Sequence, residues 1–291
     1  MAVYLTGDTH RDFSRFQEDA FPEQSGLQKS DYVLIWGDVG GVGDGSPEEN
    51  ELLDWLDARP FTTLFVSGNH ENYALLSGCP VEEWRGGLTR RVRPSIRLLQ
   101  RGQIFDLDGK RFFTMGGASS REIPILERAD PLFSVRRKWH EYRKNVYWIR
   151  GETWFPEEMP NEDEYRTALD NLERAGWAVD YVVTHCAPTS IQNLFDLTEA
   201  QSTGSYLVNR LTDFLDEIAQ KCAFDCWFFG HYHGNYVIEN RYILLYDRII
   251  QLAQYRAASP LPGGAFSSAG QVVSKTHDFQ EKTCKASKAV V

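Results

Sequence analysis

Nowhere does this chain approach the roughly 18 consecutive apolar residues that a membrane-spanning helix requires. With a mean hydropathy of -0.43, a helical span is excluded and no membrane partner is expected. Cysteine is sparse. The five residues Cys79, Cys186, Cys222, Cys226 and Cys284 are odd in number and contain no C-x-x-C pair, which argues against a disulfide framework and a thiolate zinc site and fits a reducing compartment. Positive charge is in deficit too. Lys and Arg number 31 against 41 Asp and Glu, and the field of the resulting charge of -10 repels polyanions, which weighs against duplex nucleic acid as a partner. The opening residues Met1–Asp8 hold no basic leader, so no export signal and a cytoplasmic location are expected. There is no internal repeat, and the oligomeric state is left open.

What the 291 residues do hold is apolar content, 42% of the chain, enough for the core of one large domain or two small ones. Short apolar runs ending in Gly-Asp, Gly-Asn or His alternate with stretches of helical periodicity, the rhythm of a layered α/β domain. Strands are predicted over Ala2–Thr6, Asp31–Trp36, Thr62–Val66, Asp180–Thr184 and Cys226–Phe229, and helices over Asp12–Phe21, Pro47–Ala58, Asn161–Ala175 and Ser205–Lys221. Two hairpins, Ile104–Leu107 with Arg111–Met115 around Asp108-Gly109 and Tyr236–Ile238 with Tyr242–Tyr246 around Asn240, make the sheet mixed. One domain is expected over residues 1–256. Within it, residues 118–160 are rich in Arg, Trp and Pro, carry a predicted helix over Ser134–Asn145, and read as an insertion over the face where the strands end. Residues 257–291, opened by Pro260-Leu261-Pro262-Gly263-Gly264, are too poor in apolar content to fold alone and are expected as a polar tail, flexible or docked.

The chemistry gathers at strand ends. Asp8-Thr9-His10 follows the first strand, and residues two apart in extended chain point the same way, so a carboxylate and an imidazole converge. His231-Tyr232-His233 repeats the device after Cys226–Phe229, with Gly230 allowing close backbone approach. Asp38 sits among glycines in Gly37-Asp38-Val39-Gly40-Gly41, Asn69 and His70 follow Gly68, and His185 follows the fourth strand. Five of the seven histidines fall in these turns, in the place where open α/β sheets collect functional groups. Imidazole, carboxylate and amide donors suit borderline ions such as Mn, Fe, Zn, Co or Ni rather than Ca, and there are too many for one ion. Two ions roughly 3.5–4 Å apart account for the surplus, with one carboxylate bridging them and a shared water acidified into a nucleophile for a phosphate ester. Their charge reverses the local field, so a small phosphorylated substrate is compatible with an acidic chain.

The blocks Asp8-x-His10, Gly37-Asp38, Gly68-Asn69-His70, His185 and Gly230-His231-x-His233 stand in the order found in the calcineurin-like metallophosphoesterase family, which this chain resembles from Asp8 to His233. The segment from Gly116 through Trp154 and Pro156-Glu157-Glu158 to Asn171-Leu172 is similar to bacterial members. The resemblance implies a four-layer α/β sandwich of two mixed β-sheets flanked by helices. It further implies that Asp8, His10 and His233 hold one divalent ion, Mn first among the choices, that Asn69, His185 and His231 hold the other, and that Asp38 bridges. His70, with Asn69, would contact the phosphate, and His70 would protonate the leaving oxygen. A serine/threonine protein phosphatase acting on a phosphoprotein is the first alternative: that branch of the superfamily carries Val-Asp-Arg-Gly where this chain has Val39-Gly40-Gly41, which counts against it, although His70-Glu71 matches its pattern. Gly41 also stands where purple acid phosphatases place a tyrosine ligand. A non-catalytic binding module is the remaining alternative, and it would show replaced ligands, whereas all seven positions are filled.

Any one of these histidines alone reads as a hydrogen-bonded structural residue, but five blocks in order do not. Arg11 reads as a solvated arginine beside a turn, and Arg121, Arg136, Arg137, Arg143 and Arg150 as a charged surface. Trp139, Trp148 and Trp154 offer faces for a nucleobase, but their irregular spacing reads as packing. Cys186 reads as a small buried residue.

Overall fold

The computed structural model describes residues 1–120, 124–192, 194, 208–253 and the backbone of 274–275. Its strands in chain order are β1 (Val3–Thr6), β2 (Tyr32–Ile35), β3 (Thr62–Phe65), β4 (Val81–Trp84), β5 (Gly87–Arg93), β6 (Ile96–Leu99), β7 (Gln103–Leu107), β8 (Lys110–Met115), β9 (Ile125–Leu126), β10 (Trp148–Ile149), β11 (Tyr181–Thr184), β12 (Cys226–Phe229), β13 (Tyr236–Ile238), β14 (Tyr242–Leu244), β15 (Ile249–Gln251) and β16 (Ser274–Lys275). Among the described residues they form two seven-stranded sheets, in the orders β15-β1-β2-β3-β6-β5-β4 and β16-β13-β14-β12-β11-β8-β7, with β9 and β10 as a separate pair. Each large sheet has a parallel centre, β1-β2-β3-β6 in one and β8-β11-β12-β14 in the other, with antiparallel strands outside it.

Successive residues of a strand point to opposite faces, and here both faces are covered. Leu5, Leu34, Trp36 and Leu64 of the first sheet meet Phe112, Tyr181, Val183 and Phe228 of the second in a core between the sheets. The intervening Tyr4, Val33, Ile35 and Phe65 pack outward on Phe13, Phe16, Leu53, Leu56 and Phe61. Phe113, Val182, Trp227 and Phe229 pack outward on Tyr165 and Leu172 of the helix Glu162–Arg174 and on Leu211, Leu215 and Ile218 of the helix Arg210–Lys221. The result is the expected four-layer sandwich of two mixed sheets between helices. Each fully buried Leu or Phe contributes roughly 1.5–3 kcal/mol. Among the described residues no helix is long and apolar enough to cross a membrane, and Cys79, Cys186, Cys222 and Cys226 are free thiols.

The five predicted central strands appear with each end within one residue of its expected place. Both hairpins form where expected: Asp108 and Gly109 take φ 60 and 71, Glu239 and Asn240 take φ 50 and 57, the left-handed pair that a tight antiparallel turn needs. Ser46 caps the helix Pro47–Asp57 through Glu49 N, and Asn161 and Asn209 open the two helices behind the second sheet with capping boxes.

Asp12–Phe21 is not an α-helix. It holds a 3-10 turn at Ser14–Phe16, and a second follows at Pro22–Gly26. Asp12 bonds the N–H of Ser14 at 2.9 Å, and the residue before Pro22 is biased away from helix, so the segment folds its phenylalanines inward without a regular ladder. The meander β4-β5-β6 lacks a continuous apolar signature and is held in part by cross-strand pairs of Glu82 with Arg91 at 2.7 Å and with Arg97 at 2.8 Å. The predicted helices over Ser134–Asn145 and Ser205–Lys221 appear as Phe133–Arg143 and Arg210–Lys221, residues 205–207 lying outside the described residues. Residues 118–160 carry β9, β10 and the helix Phe133–Arg143. Residues 257–291 lie outside the described residues, apart from 274–275, whose backbone pairs with β13.

Candidate metal centre

β1, β2 and β3 of one sheet and β11 and β12 of the other deliver their next residues to a common rim. Asp8 and His10 follow β1, Asp38 follows β2, Asn69 and His70 follow β3, His185 follows β11, and His231 and His233 follow β12. Three donor groups result, each with its atoms within 4.8 Å of one another: Asp8, His10 and His233; Asp38, His185 and His231; and His10, Asp38 and His70. Asn69 joins through Oδ1, 3.3 Å from His185 Nε2. All seven residues named as ligands from the sequence therefore meet, with His70 at their edge.

Extended-chain alternation does not bring them together, contrary to the sequence argument. His10, Asp38, His231 and His233 have φ of 44, 48, 68 and 49, left-handed values that cost non-glycine residues of order 1–3 kcal/mol each. His231 and His233 accordingly point into different donor groups. Contacts between the loops hold this backbone. Asp38 Oδ1 accepts the N–H of His70 at 2.9 Å, the Asp8 carboxylate accepts that of His231 at 3.0 Å, and the Asp38 carbonyl accepts that of His10 at 2.8 Å. Two close approaches need glycine: a Cβ on Gly68 would overlap Asp38 Oδ1 and lie 2.6 Å from its backbone N, and one on Gly230 would overlap Asp8 Oδ1.

The site has a dry floor and a wet mouth. The side chains of Asp8 and His185 are fully buried and that of Asp38 is 2% exposed, whereas His10, His70 and His233 are 31%, 41% and 42% exposed. His185 donates from Nδ1 to the Trp36 carbonyl at 2.6 Å, which orients the ring and turns Nε2 toward Asp38 Oδ2 at 3.3 Å. Burial opposes a charge on His185, but Asp38 and Asp8 outweigh it and push its pKa up to about 10. Burial likewise works against the Asp38 anion, and His185, His70 and His10 hold it well below the usual carboxylate range. Desolvation, with the neighbouring His185 behind it, pushes the half-buried His231 well below the ordinary imidazole value.

Ligands about 2.1 Å from one ion lie roughly 3.0–3.4 Å from each other. His10 Nε2 and His233 Nε2 are 2.9 Å apart, His233 Nε2 is 3.3 Å from Asp8 Oδ2, and His185 Nε2 is 3.3 Å from Asp38 Oδ2. These spacings and this mixture of imidazole, carboxylate and amide donors fit divalent cations.

Sequence reasoning missed the residues that brace the site. Glu71 is buried and accepts the N–H of Val39 at 2.8 Å and that of Gly68 at 2.6 Å, tying the Asp38 loop to the Asn69 loop. Burial and the adjacent Asp38 push its pKa up to about 8. Arg15 donates to the carbonyls of Asp8 at 2.8 Å and Tyr246 at 2.6 Å. Tyr73 donates to the Gly68 carbonyl at 2.5 Å and accepts from the buried Arg101 at 2.8 Å. Such side chains serve backbone groups, which leave no pattern in a sequence; only the position of Glu71 directly after His70 marked it. Arg11, next to His10, is turned to Asp44 at 3.2 Å and Glu49 at 2.8 Å.

Two parallel-centred sheets that gather histidines and carboxylates at one rim define an α/β sandwich with the means to hold divalent metal. Residues 1–235 match the calcineurin-like phosphoesterase family, and the chain belongs to that family, whose members are generally metal-dependent hydrolases. The matched span contains every residue of the centre. No curated protein matches the chain.

Proposed function

We propose that this chain is a dinuclear-metal phosphoesterase that hydrolyses a phosphate mono- or diester of a small substrate in the cytoplasm. One observation carries the reading: Asp38 lies between the donor groups, with Oδ2 3.3 Å from His185, 3.9 Å from His10 and 4.0 Å from His70. Asp8, His10 and His233 would hold one ion, Asn69, His185 and His231 the other, and Asp38 would bridge, with Mn first among the candidates and Fe, Zn, Co and Ni behind it. When bound, paired cations supply an acidified water and positive charge against the phosphoryl oxygens. The chain's own groups do the rest. The buried floor excludes bulk water, and the backbone bonds to Asp8 and Asp38 fix both carboxylates before substrate arrives. His70, at the mouth, faces an incoming ester and can hand a proton to its leaving oxygen, a contribution of typically 10²–10⁴-fold.

The test is hydrolysis of p-nitrophenyl phosphate and its bis-ester by protein stripped of metal and reloaded with Mn. Asp38→Asn should lower the metal-dependent rate more than a hundredfold, and His70→Ala by roughly 10²–10⁴-fold with metal still bound. If both variants keep the wild-type rate, the assigned roles are wrong.

A further inference from the structure

A row of rings crosses the mouth of the site. From one end, Trp148 lies 5.8 Å from His70 between ring centroids, His70 lies 5.3 Å from His10, His10 lies 4.9 Å from His233, and His233 lies 4.6 Å from Tyr246. The three imidazoles belong to the centre itself, so the two end rings decide what flanks a bound ester. They differ. Tyr246 is stacked nearly parallel on His233, at 26°, so one of its faces is already used. Trp148 is not stacked on His70, the two ring planes standing at 69°, and it is only half-buried, so part of this side chain is open beside the residue read as facing the leaving oxygen.

The backbone that carries the indole is held in place. Trp148 opens β10, pairs in register with Ile125 of β9, and its backbone N–H bonds the Pro124 carbonyl at 2.9 Å. The same segment reaches the other side of the centre, where Ser120 Oγ accepts from Asn69 Nδ2 at 3.1 Å and the Ser120 N–H bonds Glu158 at 2.6 Å. Residues 118–160 thus touch both Asn69 and His70, and the aromatic surface they bring to His70 is Trp148.

We propose that Trp148 is the leaving-group wall of this site and that it selects phosphate esters whose leaving group carries a flat aromatic ring, such as a nucleoside. This rests on the reading of His70 as the group beside the leaving oxygen. A base stacked on an aromatic side chain gains roughly 5- to 150-fold in affinity. The acidic chain opposes a long polyanion, so a single nucleoside phosphate fits better than nucleic acid.

Adenosine 5′-phosphate and ribose 5-phosphate test this directly, because the bond broken joins phosphorus to the same primary alcohol oxygen in both and only the base differs. Manganese-loaded wild-type protein should favour the adenosine ester at least tenfold in kcat/KM. Trp148→Leu, which keeps bulk but not the ring, should bring the ratio of the two values to within twofold of one, whereas Trp148→Phe should retain most of it. Calorimetric binding of the two methylenephosphonate analogues, which cannot turn over, should give the same ordering for all three proteins. Equal handling of the two esters by wild type overturns the proposal. So does a Trp148→Leu variant in which both esters weaken by one factor, since Trp148 would then only orient His70. If no ester is hydrolysed at all, the phosphoesterase reading fails on its own, and the binding ratio still decides the role of Trp148.

Discussion

Replacing Glu71 by alanine isolates the bracing of the centre from its ligands. Glu71 touches no bound group; its two oxygens take the N–H of Val39, next to Asp38, and that of Gly68, next to Asn69. Alanine leaves two buried donors without acceptors, about 1–3 kcal/mol each. It also removes a buried carboxylate that burial and Asp38 already disfavour, which returns part of that cost. The net expectation is a loss of roughly 2–4 kcal/mol, or about 4–16 °C in the melting temperature of a domain this size. Because the two loops lose their common anchor, Mn affinity should fall by roughly 10- to 100-fold, as for other groups that orient ligands. Glutamine keeps one acceptor but turns an amide N–H toward the other donor, so it should fall between wild type and alanine. The assay is thermal melting of metal-free protein alongside calorimetric Mn titration. A Glu71→Ala variant that melts within 1 °C of wild type, or that loses stability with unchanged metal affinity, refutes the reasoning.

Gly68→Ala should be worse for the site than for the fold. The new methyl overlaps Asp38 Oδ1 and presses on its backbone, so Mn binding should weaken more than a hundredfold while stability falls by about 1–3 kcal/mol, read by titration and melting. Metal-free protein should lose stability as pH rises from about 6.5 to 10; below 6.5 the depressed His231, neutral in the fold but protonated in the unfolded chain, offsets Glu71. Glu71, raised from 4.5 to about 8, and His185, raised from 6.5 to about 10, both keep protons in the folded state that the unfolded chain has released, so the stabilisation of each fades as pH rises through its folded value. Metal-loaded protein, with His185 unable to hold that proton, should melt with a flatter pH profile. Arg101→Ala strips partners from Tyr73 Oη, the carbonyls of Glu157 and Glu158, and Glu164, and should cost roughly 3–5 kcal/mol by thermal melting.

The parallel strands were legible because both their faces are buried, so Val33-Leu34-Ile35 and Trp227-Phe228-Phe229 stand out as unbroken apolar runs, and a chemistry-bearing turn follows each. The hairpins were legible through Asp108-Gly109 and Asn240, which tolerate left-handed backbone. β4-β5-β6 was not, since its alternation is carried partly by Arg and Glu whose partners lie across the strands, not along the chain. Asp12–Phe21 misled because aromatic spacing suited a helix while Asp12 and Pro22 spoiled its ends. The residue types of the centre were all readable, but the reason they converge was not: left-handed φ at His10, Asp38, His231 and His233 is a tertiary outcome, held by bonds between loops far apart in sequence.

Asp38 should join two cation sites into one. Electron paramagnetic resonance of the metal-free protein titrated with Mn tests it most directly. Two equivalents should bind per chain, the second bringing the spectrum of an exchange-coupled pair, and Asp38→Asn should abolish that coupling. A single equivalent, or two ions whose spectra stay independent in the wild-type protein, would contradict the account.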